Sequence, residues 1–234
     1  MSKKLVLRDQ RLFRRSVVYV LGYFIMALGV AISINADLGI TPVTSLPFVI
    51  SLILGRSPGV VIAVTFCFLI MLQIVLLRKR FKWINLTQII PAMLFGYFVD
   101  LSILIIGDFL IPTYAGRLAM LAISTLLVAL SIIMVIDANF ANLPAMNLAL
   151  AVTKIAPEHK YFGQFHIVKM MTDSTIVTIA ITLSLIFLGG LTGIREGTVL
   201  TAIFVGKIIP YVRKVSDPIH RKIGLYRPIP AERS

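Results

Sequence analysis

The chain has 234 residues, of which 58% are apolar and 14% are charged, and its mean hydropathy is +0.95. Soluble domains are roughly 45–50% apolar and about 25% charged, so the composition excludes a soluble globular enzyme, and its hydrophobicity excludes a disordered chain. The 23 Lys and Arg against 10 Asp and Glu give a net charge of +13. These basic residues stand in blocks between apolar runs, which is typical of the loops of a membrane protein. We therefore expect a lipid bilayer, and not a nucleic acid, as the partner.

Six apolar runs are close to the roughly 20 residues that a membrane-crossing helix needs. They predict an all-α, polytopic fold with six transmembrane helices: Ser16–Ile34, Val60–Leu77, Ile84–Ile106, Leu118–Ile136, Phe165–Leu188 and Thr198–Val212. Two other apolar stretches, Pro42–Leu54 and Leu143–Ile155, are too short to cross, because 13 helical residues extend only ~20 Å. We expect these two to be broken or re-entrant helices.

The basic blocks also predict an orientation. With six crossing helices, 18 of the 23 basic residues fall on one side, which the positive-inside rule identifies as the cytoplasm. Both termini are then cytoplasmic. This arrangement divides the chain into a basic amino terminus at 1–15, membrane segments at 16–112 and 113–212, and a basic tail at 213–234.

An internal repeat relates the two membrane segments. A shift of 102 positions aligns Ala27–Phe48 with Ala129–Leu150, and six of the 22 pairs are identical. Asn35 then faces Asp137, and Asp37 faces Asn139. Because each repeat would contain three crossing helices, an odd number, the two repeats must be inverted relative to each other. Inverted repeats with broken helices are a recurring plan of secondary transporters, with substrate bound between the repeats.

The helix breaks NADLGITP and DANFANLP follow the first and fourth predicted spans. Thr41 and Asn142 are expected to cap the short helices that begin near Pro42 and Pro144. Non-helical backbone at membrane depth is tolerated only beside protein or water, so both breaks are expected to line one polar cavity. The alternative is a pair of surface turns. The predicted substrate-binding residues are Asn35, Asp37, Thr41, Thr44, Asp137, Asn139 and Asn142.

Three segments carry a family resemblance: ADLGITPVTSLPFVISLILGRSPG, FGYFVDLS at Phe95–Ser102, and REGTVLTAIFVGKIIPYV at Arg195–Val212. Together they resemble the YitT/YczE/YyaS-type bacterial integral membrane proteins, over about residues 16–212. The resemblance implies a six-span protein of the bacterial inner membrane that works as a transporter. It implies no particular substrate.

Ionisable groups inside membrane spans are expensive and are functional candidates. Asp100, Asp173, Lys169 and Lys207 are predicted to serve ion coupling, although Lys169 and Asp173 can also form a structural i,i+4 pair. Lys207 can partner Asp100 or extend toward the cytoplasm. Arg195 and Glu196, just before the last span, form either an outer gate or a solvated turn.

No enzymatic or metal-binding motif is present: the sequence has neither HExxH nor GxSxG. We therefore predict no enzyme, no cofactor and no metal. The predicted function is transport of a small solute across the bacterial inner membrane, by alternating access and with proton or sodium coupling. The alternative is a non-transporting accessory protein that docks a protein or lipid partner.

Overall fold

The computed structural model describes residues 3–109, 111–155 and 165–223, which form helices and connecting loops without any strand. Two short 3-10 segments cover Arg78–Arg80 and Trp83–Gln88. The α-helices are α1 Lys3–Ala36, α2 Pro42–Leu54, α3 Pro58–Leu77, α4 Ile89–Ile106, α5 Tyr114–Ala138, α6 Pro144–Ile155, α7 Phe165–Leu188 and α8 Glu196–Ile223. The predicted all-α class is confirmed.

Five helical segments within these residues are long and apolar enough to cross a membrane: Leu12–Ala36, Pro58–Leu77, Trp83–Ile106, Tyr114–Ala138 and Ile167–Leu188. Each agrees with one of the first five predicted spans to within a few residues. The predicted sixth span, Thr198–Val212, lies inside α8, where the apolar stretch of membrane character is the shorter Glu196–Val205. The chain is thus a multi-pass helical protein with five clear candidate spans.

The two short helices begin in the same way. Thr41 precedes α2 and its carbonyl accepts the N–H groups of Thr44 and Ser45, both at 3.0 Å. The Thr41 hydroxyl bonds the Thr44 hydroxyl at 2.7 Å instead of capping a backbone N–H. Before α6, the carbonyl of Leu143 accepts the N–H groups of Met146 and Asn147, at 3.1 and 3.2 Å. Leu143, and not Asn142, therefore holds the cap position next to Pro144.

Both helix breaks share one backbone geometry. The helix before the break ends at Ala36 in α1 and at Ala138 in α5, and both breaks end six residues later, at a proline. The residues that follow the two helices, Asp37 and Asn139, have left-handed φ values of 50° and 53°. Asp and Asn tolerate this conformation better than most residues, because their short polar side chains bond locally.

The helices α1 and α5 form the centre of the bundle, where they pack along each other in antiparallel directions. Their approach is close, since the Ser124 hydroxyl donates to the Gly29 carbonyl at 2.7 Å, and small residues allow such packing in membranes. Helix α4 packs on α1 and α3, and α8 packs on α5. Both short helices pack on α3 and α7, with α2 mainly against α7 and α6 mainly against α3.

The bundle has two ends, each defined by the helices that begin or finish there. At the first end α1 and α4 finish, where Asn35 Nδ2 donates to the Gly107 carbonyl at 2.7 Å, and α5 and α8 begin. At the second end α5 finishes and the Trp83–Gln88 segment leads into α4. Each end therefore contains one of the two helix breaks.

Candidate functional site

The break at the first end is surrounded by charged side chains. Asp37 Oδ2 accepts from Arg117 Nη1 at 3.1 Å and from Arg195 Nη1 at 3.4 Å, and the same Arg195 nitrogen donates to the Asp37 carbonyl at 2.9 Å. Arg195 Nε lies 3.5 Å from Glu196 Oε2. We call these four residues the first-end cluster. The side chain of Asp37 is 47% exposed, so solvent screens these ion pairs and each contributes modestly to stability.

A tight backbone contact positions this cluster. The N–H of Gly197 donates to the Leu38 carbonyl at 2.7 Å, and the N–H of Ile40 donates to the Gly193 carbonyl at 3.3 Å. Gly39 has φ +108°, and a Cβ built there would lie 2.5 Å from Thr198 Oγ1. Only glycine fits both the conformation and the space. The ADLG and REGT motifs, distant in sequence, thus interlock at the start of α8.

A cleft of about 500 Å³ opens beside the first-end cluster, between α7 and α8. This volume lies within the range of about 300–1,000 Å³ that is typical of small-molecule sites. Branched aliphatic side chains form most of its wall, and charged groups stand on one side. The lining residues are Asp37, Val177, Ile181, Leu191, Thr192, Ile194, Arg195, Glu196, Thr198 and Val199.

The break at the second end also contains an aspartate–arginine pair, but this pair is largely buried. Asp137 Oδ1 accepts from Arg213 Nη2 at 3.2 Å, and the two side chains are 0% and 11% exposed. Arg15 Nε donates to the Ala138 carbonyl at 2.9 Å, and its guanidinium lies 5.4 Å from the centre of the Phe140 ring. We call Arg15, Asp137 and Arg213 the second-end cluster. Removing one partner of such a buried pair is costly.

Neutral polar groups complete the closure of the second end. The amides of Gln73 and Gln88 are buried and bond each other reciprocally at 3.1 and 3.4 Å, and Gln73 Nε2 also donates to the Pro144 carbonyl at 2.9 Å. The hydroxyl of Tyr19 donates to the Ala141 carbonyl at 2.6 Å. The Gln73–Gln88 pair was not predicted from the sequence, because only ionisable groups were considered there. Two glutamines beside apolar runs were the available signal.

Asp100 caps a neighbouring helix. Its Oδ1 accepts the Gly59 N–H at 2.7 Å and its Oδ2 accepts the Ser57 hydroxyl at 2.8 Å, at the start of α3. The backbones touch nearby, because a Cβ on either Gly59 or Gly96 would overlap the other residue's carbonyl oxygen. Both carboxylate oxygens are thus engaged by α3, while Lys207 is exposed on α8. A role of either residue in ion coupling stays a prediction.

Lys169 and Asp173 form an ion pair within α7, as their i,i+4 spacing predicts. Their side chains are about a quarter exposed, at 27% and 25%. A charged pair that neutralises itself on one helix face is the arrangement expected where a bundle must tolerate both residues. Whether it also serves coupling stays a prediction.

The predicted binding residues do not meet in one cavity. Asp37 contacts Arg117 near the start of α5, whereas Asp137 stands 20 residues later on that helix, about 30 Å away at the helical rise. Asn35, Thr41 and Thr44 lie at the first end, and Asn139 and Asn142 at the second. The expected shared cavity is therefore wrong, because the two breaks lie at opposite ends of the bundle. Arg195 and Glu196, predicted as a gate, join Asp37.

No group of three or more His, Cys, Asp and Glu side chains is arranged to hold a metal ion within residues 3–109, 111–155 and 165–223. The groups available to a ligand at the first end are carboxylates, guanidinium groups and hydroxyls. Such groups recognise charged organic solutes by hydrogen bonds and ion pairs.

An all-helical chain with five apolar helices of membrane length and a charged break at each end is a multi-pass membrane protein. It belongs to a family of unknown function, DUF6198, whose model matches residues 13–214. No curated protein and no solved structure matches the chain. The resemblance to YitT-type proteins stays a prediction, since DUF6198 is the family that the match supports.

Proposed function

We propose that the protein transports a small solute across the bacterial cell membrane by alternating access between two inverted repeats, residues 16–112 and 113–212. One observation carries this proposal. The two equivalent helix breaks lie at opposite ends of the bundle, and in each an aspartate pairs with an arginine of α8 or of the loop before it. Two like gates that face opposite ways are what alternating access requires.

Helix α8 supports the six-span arrangement on which inversion depends. Arg195, immediately before α8, pairs with Asp37, and Arg213 pairs with Asp137. The two arginines are 18 positions apart, which corresponds to about 27 Å of helix, close to the roughly 30 Å thickness of the hydrocarbon core. In this proposal α8 is the sixth span, and each repeat contains three.

The charge distribution supports the orientation. Basic residues of the second end include Arg15, Arg80, Lys82, Arg213 and Lys214, whereas those of the first end are fewer. By the positive-inside rule the second end is cytoplasmic, with both termini on that side, and the first end faces outward.

The difference in burial supports one particular state of the transport cycle. The cleft at the first end is open, while at the second end Asp137 is fully buried and the Gln73–Gln88 pair is closed. This is the outward-open state. The inward-open state requires separation of Asp137 from Arg213 and closure of the cleft. Asp100 and Asp173 are the candidates for coupling to a proton or sodium ion.

An exchange assay tests the proposal. The protein is reconstituted in liposomes and incubated with a mixture of amino acids, organic acids, nucleosides, vitamins and amines, and the retained solutes are measured by mass spectrometry against protein-free liposomes. The test variant is Asp37→Asn/Asp137→Asn, checked for folding by gel filtration. The matched control is Asp108→Asn, because Asp108 is an exposed aspartate near the same end.

We expect one class of solute to be retained by the wild type and by Asp108→Asn, and lost by the double variant. Retention by wild-type liposomes no greater than by protein-free liposomes would overturn the transporter proposal in favour of an accessory role. Equal retention by the folded double variant would show that the two aspartates are not part of the gates.

A further inference from the structure

We propose that the cleft between α7 and α8 binds an organic amine, a protonated amino group carried on a compact apolar body. This inference names the substrate class for the outward-open site and rests on the proposed function. Binding itself is measured independently of transport, so the two can fail separately.

The apolar part of the ligand is specified by the cleft walls. Val177 and Ile181 of α7 face Val199 of α8 across the cleft, and Leu191 and Ile194 come from the connecting loop. Among the described residues no aromatic ring lines the cleft, so a flat ring has no stacking partner in that part of the chain. Branched aliphatic walls favour burial of a compact saturated body, because its apolar surface is removed from water.

The positive charge proposed for the ligand follows from carboxylate oxygens in the cleft that accept no hydrogen bond from the described residues. The cleft is lined by the carboxylates of Asp37 and Glu196 and by one guanidinium, that of Arg195. Both arginine contacts to the Asp37 carboxylate use Oδ2, and Glu196 receives only the 3.5 Å approach of Arg195 Nε. Among the residues that the structure describes, none donates to Asp37 Oδ1 or to Glu196 Oε1. These two oxygens accept hydrogen bonds but offer no donor, so they suit an ammonium group.

A buried hydroxyl group of the cleft wall also lacks a hydrogen-bond partner among the described residues. Thr198 lines the cleft, its residue is 1% exposed, and its Oγ1 has no hydrogen-bond partner within the described part of the chain. Buried polar groups in native structures are nearly always bonded, and the exceptions call for an explanation. Thr198 Oγ1 lies beside Gly39 at the wall of the cleft, and a ligand bound in the cleft is the partner that we propose for it.

The neighbouring pair of helices shows that the opening is specific to α7 and α8. The helices α3 and α4 close on each other through Gly59 and Gly96, and Asp100 accepts the Gly59 N–H and the Ser57 hydroxyl at the start of α3. The helices α7 and α8 barely touch over their described residues, although both pack on the rest of the bundle. The gap leaves the cleft accessible from the side as well as from the end.

Other ligand charges fit less well. A carboxylate or phosphate would meet two acidic side chains, and the two nearby arginines, Arg117 and Arg195, are already engaged by them. A quaternary ammonium has no N–H to donate to the two free carboxylate oxygens. A neutral alcohol forms weaker hydrogen bonds, because charge-assisted bonds are roughly twice as strong as neutral ones.

Three probes with one apolar body test the inference: 1-adamantylamine, 1-adamantanol and 1-adamantanecarboxylate. Binding to the full chain in lipid nanodiscs is measured by equilibrium dialysis, with empty nanodiscs as background. The variants are Glu196→Gln, which removes one charged acceptor, and Val199→Trp, which fills the cleft. Asp108→Asn is the matched control, an exposed aspartate outside the cleft.

We expect the amine to bind more tightly than the alcohol and the carboxylate not to bind. Glu196→Gln should weaken amine binding about tenfold, because the ammonium loses a charged acceptor and keeps only a neutral one. Val199→Trp should abolish it, and Asp108→Asn should leave it unchanged. Absence of binding by the amine, equal binding of the carboxylate, or full affinity in Glu196→Gln would overturn the inference. Amine binding without solute exchange would contradict transport and leave the site intact.

Discussion

The two ends of the bundle contain helix breaks that share one backbone geometry but have different surroundings. Each break begins with a left-handed residue and ends at a proline, and each contains an aspartate–arginine pair. At the first end the Asp37 side chain is 47% exposed, whereas at the second end Asp137 is fully buried. The aspartate–arginine pair is therefore solvated at the first end and buried at the second end.

The difference lies in the neighbours of the breaks. The second end adds a reciprocal amide pair between Gln73 and Gln88 and a tyrosine hydroxyl on the Ala141 carbonyl. The first end adds a glycine contact between Gly39 and the start of α8, and leaves a cleft beside it. Under the proposed function, these unequal surroundings correspond to one of the two states of the transport cycle.

The largest effect is expected from Asp137→Ala. This change removes the carboxylate of a buried ion pair, which should lower the free energy of unfolding by about 3–5 kcal/mol. The measurement is denaturant unfolding in detergent. Asp37→Ala is the matched change at the exposed end, where the loss should be about 1 kcal/mol or less. Equal losses in the two variants would contradict the burial difference between the ends.

Gly39→Ala should follow in size. The new Cβ would be strained at φ +108° and would press on Thr198 Oγ1 and on the Arg195 N–H, 2.5 and 2.8 Å away. We expect a loss of about 2–3 kcal/mol, combining backbone strain with overpacking. Gly55→Ala is the control, because Gly55 also has positive φ but no atom within 4 Å of its Cβ position. Similar melting temperatures for the two variants would argue against the interlocked motifs.

Gln88→Leu should have a smaller effect, about 1–3 kcal/mol, because it leaves the Gln73 amide short of a partner in a buried site. Replacing both glutamines with leucine should recover part of that loss, since no unpaired amide then remains. A double-mutant cycle measured by thermal unfolding gives the coupling between them. Strict additivity of the two single changes would contradict a direct amide pair.

The smallest effect is expected from Arg117→Gln. Arg117 is one of two arginines on an exposed carboxylate, so its removal should cost about 1 kcal/mol or less and should matter less at high salt. Unfolding at 0.05 M and 1 M sodium chloride measures both quantities. A large loss that does not depend on salt would mean that the first end is as dry as the second.

The sequence predicted the helices well and their partners poorly. Hydropathy and proline positions predicted five spans and the start of α2, because these signals are local. The partners of Asp37 and Asp137 are 80, 158 and 76 residues distant, and nothing near either aspartate indicates which arginine it binds. Such pairs are decided by tertiary packing, which one sequence does not encode locally.

The expectation of a shared cavity failed for a physical reason. The two breaks lie at opposite ends of the bundle, and the short helices α2 and α6 pack mainly on different neighbours, α7 and α3. Asp100 was predicted as a coupling residue from its depth, yet its oxygens are occupied by the start of α3. Depth in the membrane alone therefore does not separate a cap from a transport residue.

Alternating access itself is tested most directly by spin-label distances in lipid nanodiscs, on a Cys67→Ser background. One pair, Phe109 and Leu191, reports on the first end, and a second pair, Trp83 and Val215, reports on the second; all four residues are exposed. We predict that Asp137→Asn, which weakens the buried Asp137–Arg213 pair, shortens the first distance and lengthens the second. Unchanged distances at both ends in folded Asp137→Asn would contradict it.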